Sequence, residues 1–323
     1  MNCLQRREFL RCAGGSLLAF TFARMMKAEA VVAPRFVLEF GKQGKGPGEF
    51  DSPVGLVIDA EDRLYVTDFL NKRVQWFAAD GSFLGQFPVQ PYPGGLARDE
   101  AGLIYVAHWN DSKIAVYSPT GELLRQWGGK GTGDGELHIA GGLAMGRDGV
   151  LYAADQGNSR IQAFTREGKY LRQWGSLGAG PGEFGVGKSA GSRFAGLQFL
   201  AVDAHGLVYA TDAASGRVQK FTPEGDFVMA FGSNATEPGG FGGRKESPGP
   251  IALCVDRQGR IWVGASNHRV QLFSADGDYL AGFGGAGSDP GKFETPHGLA
   301  IDSAGFFYVV DTMNCRIQKF AVA

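Results

Sequence analysis

The sequence predicts an all-β fold: a six-bladed β-propeller of four-stranded antiparallel blades, closed by an N-terminal strand that completes the last blade. Three observations predict it. One unit, a strand ending in Asp, a polar loop and an Arg-Val-Gln-x-Phe strand, recurs six times with varying fidelity. The copies are spaced at a blade period. An unpartnered strand precedes the first copy, while the last copy lacks an outer strand.

The clearest copies span 64–77, 151–164 and 307–320, and looser ones span 104–117, 208–221 and 261–273. Their aligned basic residues are Arg73, Lys113, Arg160, Arg217, Arg269 and Arg316, separated by 40, 47, 57, 52 and 47 residues. That exceeds the twenty-odd residues of a leucine-rich repeat and suits a propeller blade.

Within a unit the inner strand reads Gly-Leu-x-x-Asp, as in 55–59 and 298–302. A turn such as Ser303-Ala304-Gly305 leads to the second strand. Alternation in the third strand sets Val74 and Trp76 on one side and Gln75 on the other. Asp80-Gly81, Glu167-Gly168, Glu224-Gly225 and Asp276-Gly277 are turn dipeptides that open outer strands. The 51 glycines, about twice the usual share, fit this economy of short strands and tight turns. After Phe320 only Ala321-Val322-Ala323 follow, and 35–40 is an outer strand in search of a blade. A solenoid is the alternative, but it would carry caps rather than a strand displaced from one end to the other.

Residues 1–30 are expected to be an export signal and 31–323 the propeller. Arg6-Arg7-Glu8-Phe9-Leu10 resembles a twin-arginine signal, with an apolar run from Cys12 to Ala23 and small residues at Ala28-Glu29-Ala30. This implies a periplasmic or otherwise exported protein, tethered to the membrane if the signal stays uncleaved. No later apolar run is long enough to span a bilayer. Without residues 1–30 the chain has 27 basic against 31 acidic residues, which gives no general electrostatic case for nucleic acid. Only Cys254 and Cys315 then remain, and their places in the repeat argue against a disulfide.

The units resemble NHL repeats. The resemblance rests on Gly44-Lys45-Gly46-Pro47-Gly48-Glu49-Phe50, Gly180-Pro181-Gly182-Glu183-Phe184, the Gly-Leu-x-x-Asp strand and Asp-x-x-Asn-x-Arg-Val/Ile. It implies a fold rather than an activity, since such propellers include an amidating lyase, RNA-binding and partner-binding domains.

Asp68/Arg73, Asp155/Arg160, Asp212/Arg217 and Asp311/Arg316 recur at one spacing, so they are expected to be structural pairs that pin a hairpin. Departures from the repeat are the candidate binding residues. Blade two has His108 for the expected Asp and Lys113 for Arg, followed by Trp109. Phe69, Leu70 and Met313 occupy matching loops, and the insertions on the same face carry Lys188, Arg193 and Arg244. An apolar cluster within a basic rim on one face suits a protein partner of the cell envelope or a small ligand.

The weak catalytic candidate is His297. The resemblance implies a zinc held by histidines at inner-strand starts in the amidating lyase, and Pro296-His297-Gly298-Leu299 resembles that motif. The equivalent positions are Val54, Gly94, Gly141, Gln198 and Ile251, so the zinc set does not carry over. His138, His205, Glu49, Asp51 and Glu183 make no second set. No cofactor is predicted, a channel-bound divalent metal being the alternative. The sequence favours an exported recognition or scaffolding propeller without a complete catalytic constellation. Its alternative is a metal-assisted lyase or hydrolase at the channel mouth near His297.

Overall fold

The computed structural model describes residues 33–185, 196–242 and 249–322. Six four-stranded antiparallel sheets occupy 53–88, 93–128, 140–174, 197–231, 250–284 and 296–321. In the first five, strands pair in chain order from the inside outwards. The sixth takes its outer strand from Arg35–Phe40, which pairs antiparallel with Arg316–Ala321, Phe36 opposite Phe320 and Phe40 opposite Ile317. The expected ring closure is therefore present.

Five of the six inner strands are followed by an aspartate for a physical reason, blade three having Gly146 there. Asp302 accepts the backbone N–H of Phe306 at 2.8 Å and the Tyr308 hydroxyl at 2.9 Å. Asp203 does the same for Leu207 and Tyr209, and Asp256 for Arg260 and the Trp262 indole. One carboxylate thus closes the turn and satisfies the polar tip of a large buried ring. These rings fill the gaps between blades. Tyr105 packs with Phe164 and Leu151, Tyr308 with Phe77 and Leu64, and Trp262 lies 4.7 Å from Phe307. The core is a ring of inter-blade seams, and burying each such side chain contributes roughly 1.5–3 kcal/mol.

The repeated Asp and Arg stand directly opposite each other across the second hairpin. Asp68 Oδ2 accepts from Asn71 at 2.8 Å and Arg73 Nε at 2.8 Å, while its Oδ1 accepts the backbone N–H of Asp51 at 2.7 Å. Arg73 then donates to the carbonyls of Lys45, Gly46 and Glu49. Gln75 donates to Glu49 and accepts from Gly48. The motif is a clamp on the Gly-rich connector that enters the blade. Blades three and six repeat it with Asp155, Asn158, Arg160 and with Asp311, Asn314, Arg316. Blade four keeps Asp212, Arg217 and Gln219. Burial pushes the Asp68 and Asp212 carboxyls up, against the lowering pull of their donors.

Blade two breaks the pattern because there is nothing to clamp. Only residues 89–92 join blade one to its inner strand, against 129–139 before blade three. Blade five has Ala265 opposite Arg269, and among the described residues it keeps the Gln271 bonds to Gly239 and Gly240 and the Asn267 bond to the Gly242 carbonyl. Cys254 and Cys315 are free thiols.

Candidate small-molecule site at the channel mouth

The connectors and the loops joining second to third strands lie on one face: Phe69 and Leu70 donate their N–H groups to Ser52 and Asp51, and Trp109 donates to Tyr92. Where these loops meet the inner-strand starts, a cavity of about 270 Å³ opens. Val54, Gly94, Gly141, Gln198 and His297, from five different blades, line it from below. Phe69, Leu70, Trp109, Gln156 and Met313 form its rim. The lining is mostly apolar with a few convergent polar groups, the usual make-up of a ligand pocket.

The polar groups form a chain around the mouth. Trp109 Nε1 donates to Gln156 Oε1 at 2.9 Å, and Gln156 Nε2 donates to the Gln198 carbonyl at 3.3 Å. This links blades two, three and four. Gly141 lies directly beneath it, and a Cβ there would fall 2.4 Å from Gln156 Nε2 and displace that side chain. Gly94 differs: a Cβ there would meet backbone carbonyls at ordinary contact distances of 3.7 Å and more, so the position has room for one.

His297 is the one titratable side chain among these lining residues. Its ring is partly exposed to the cavity and lies against Phe199, with centroids 5.2 Å apart. Its Nδ1 is buried without a hydrogen-bond partner. Desolvation pulls its pKa down to about 4, so at pH 7 the ring is neutral.

Of the residues predicted from the sequence, Phe69, Leu70, Trp109, Met313 and His297 converge on this cavity. His108 does not. It is fully buried opposite Lys113, with Tyr117 Oη 3.4 Å from Nε2 and with Nδ1 unpartnered, and burial lowers its pKa to about 4. Arg73, Arg160 and Arg316, read from the sequence as structural partners of aspartates, point into the connectors and are buried in the clamps. Lys188, Arg193 and Arg244 lie outside the described residues. Sequence reasoning passed over Gln156 and Phe199. Gln198 had a signal, since it aligns with His297, but a lone amide announces no chemistry.

A ring of six sheets with a ligand-sized mouth defines the class: a β-propeller with a site on its connector face. The NHL repeat model matches residues 50–77 and 293–320, and a two component regulator propeller model matches 247–267. The chain is a six-bladed β-propeller in which two segments, 50–77 and 293–320, match the NHL repeat. It is 34% identical over 125 residues to the human NHL repeat-containing protein 3, covering 35% of this chain and 35% of that one. The chain thus matches about a third of the length of that relative. Among solved structures, a structural genomics protein from Bacteroides thetaiotaomicron superimposes with a TM-score of 0.67 at 19% identity, over 90% of this chain and 76% of that one. A streptogramin B lyase does so with 0.61 at 12% identity, over 90% and 98%. A catalytically inactive histidine-to-alanine form of the Staphylococcus aureus virginiamycin B lyase, with quinupristin, gives 0.57 at 13% identity, over 83% and 84%. At these identities the likeness is one of fold.

Proposed function

We propose that the channel mouth binds a small, mainly apolar molecule and that the protein acts on it as a lyase or hydrolase, with His297 moving the proton. One observation carries the reading: among the described residues, the only titratable side chain lining the cavity is a neutral imidazole with an unpaired buried nitrogen. Neutral imidazole has a lone pair to accept a proton at pH 7, and positioned proton transfer contributes about 10²–10⁴-fold to rate. Gln156, Gln198 and the Trp109 indole would orient a polar group of the ligand, and Phe199 would shield it from water. Propeller lyases among the similar folds support the same reading.

The donor set does not fit a metal. His297 has only Val54, Gly94, Gly141, Gln198 and Ile251 at corresponding positions. Among the described residues no group of three His, Cys, Asp or Glu side chains is placed to hold an ion. The Arg6-Arg7 head supports the proposal that the protein works after export.

The test is conversion of quinupristin and a panel of esters and lactones by the full chain, read by mass spectrometry. His297→Ala should lower turnover at least about a hundredfold, and Gly94→Val should abolish it by filling the mouth. Equal rates in wild type and His297→Ala would overturn the catalytic role. The second reading, a recognition propeller without turnover, is favoured by one feature of the rim: Leu70 and Met313 are 46% and 64% exposed. Under it, Trp109→Ala loses a partner while no substrate is consumed.

A further inference from the structure

The short connector of blade two does more than remove a clamp. It uncovers a second cleft of about 510 Å³, lined by Tyr92, Asn110, Ser112, Lys130, His138 and Ile139. Phe69, Leu70 and Trp109 line both this cleft and the channel mouth, so the two share one aromatic wall. In that wall Phe69 packs on Tyr92 at 5.2 Å and on Trp109 at 5.9 Å.

Position in the repeat shows what is particular here. Lys130 bridges to Leu137 as Gln43 bridges to Phe50, Leu177 to Phe184 and Ala286 to Phe293. Among these four equivalent positions Lys130 is the one cation. His138 donates its backbone N–H to Asp155, as Asp51 does to Asp68 and Glu294 to Asp311. Two acidic positions elsewhere are thus a histidine in blade three. At that position the cleft lacks a carboxylate, and Lys130 is exposed with no ion pair among the described residues.

The walls are held in a costly conformation. Tyr92 and Ile139 have φ of 60° and 61°, at the turn where blades four and five carry Gly196 and Gly249. A β-branched residue there is strained, and such strain concentrates at ligand sites. Ile139 is fixed by donating its N–H to Ser112 Oγ at 3.0 Å, which leaves the Ser112 hydroxyl proton free to be donated onwards.

We propose that this cleft is an anion subsite adjoining the channel mouth, so that the ligand is amphipathic: an apolar body in the mouth and one anionic group beside Lys130. This rests on the channel-mouth reading, since the cleft is half of the same site. Lys130 supplies a compact positive charge, and Asn110 and Ser112 supply neutral donors. The subsite selects for charge, and Trp109 stands at the junction.

The test uses two fluorescent probes of the same aromatic body on the full chain, anilinonaphthalene sulfonate and uncharged phenylnaphthylamine. The sulfonate should bind about tenfold more tightly, a gap that closes as salt is raised. Lys130→Gln should bring the sulfonate down to the neutral probe without changing the latter, and Lys130→Glu should take it lower. Trp109→Ala should weaken both. Equal affinities in wild type, or sulfonate binding unmoved in both Lys130 variants, would overturn the anion subsite and leave the mouth standing. Binding of neither probe, or binding unaffected by both Trp109→Ala and Gly94→Val, would overturn the mouth reading as well.

Discussion

Phe199 and His297 lie ring against ring, 5.2 Å apart, although one comes from the fourth blade and the other from the sixth. Blade five lies between them in sequence, and its Gly264 leaves no room for a side chain against Pro296, where a Cβ would fall 2.6 Å from the carbonyl. The contact crosses the channel and covers part of the His297 ring. Phe199→Ala should therefore let water reach the ring and raise the His297 pKa from about 4 towards the ordinary 6.5. Histidine titration by NMR reads this directly. An unmoved value would mean that the desolvation comes from elsewhere in the mouth.

Acid stability should depend on two desolvated histidines, His108 and His297. Desolvation holds His108 and His297 neutral down to about pH 4, against an unfolded value of 6.5. Between pH 6.5 and 4 the unfolded chain takes up protons that the native chain refuses. Stability is therefore full above 6.5 and falls as pH drops through this window, by up to about 3 kcal/mol per group. Urea denaturation of wild type and of His108→Asn at pH 7 and pH 4.5 tests the sign. A wild-type loss no larger than that of the variant would remove His108 as a cause.

The clamp predicts an asymmetry between blades. Asp155 and Arg160 are both buried, and Arg160 also holds the carbonyls of Thr132, Gly133 and Glu136. Asp155→Ala should cost about 3–5 kcal/mol by stranding a buried guanidinium. Lys113→Ala, at the same place in blade two, should cost under about 1 kcal/mol, because no connector hangs from it. Chemical denaturation of the two variants decides the matter, and equal losses would sink the clamp as the reason for the motif.

Closure predicts a specific failure. Removing Arg35–Phe40 exposes the edge of Arg316–Ala321, breaks the 2.8 Å pair of Glu39 with Arg316 and unpacks Phe36 from Phe320. The truncated chain should melt lower and associate through the open edge. A synthetic peptide covering 33–41 should restore a monodisperse species in light scattering. A stable, monodisperse truncation without the peptide would contradict the role of the strand.

The ring was legible in the residues themselves. A six-fold unit, turn dipeptides and a displaced strand are local patterns, and local patterning suffices to specify short strands, their order and their closure. So was the gathering of Phe69, Trp109, Met313 and His297 on one face, because chain direction alone assigns loops to faces. What the motif residues do was not legible. Asp68 and Arg73 announce a pair, but only the folded ring shows that Arg73 reaches Gly46 and Glu49, more than twenty positions earlier, and so points away from solvent. His108 read as a surface departure, whereas pairing with Lys113 beside a short connector buries it. Lys130 drew no attention and His138 was set aside as making no site, because their meaning depends on the short connector of the neighbouring blade. Strand identity follows from alternation along the chain. A cavity is a relation between surfaces brought together from blades far apart in sequence, and only tertiary structure decides it.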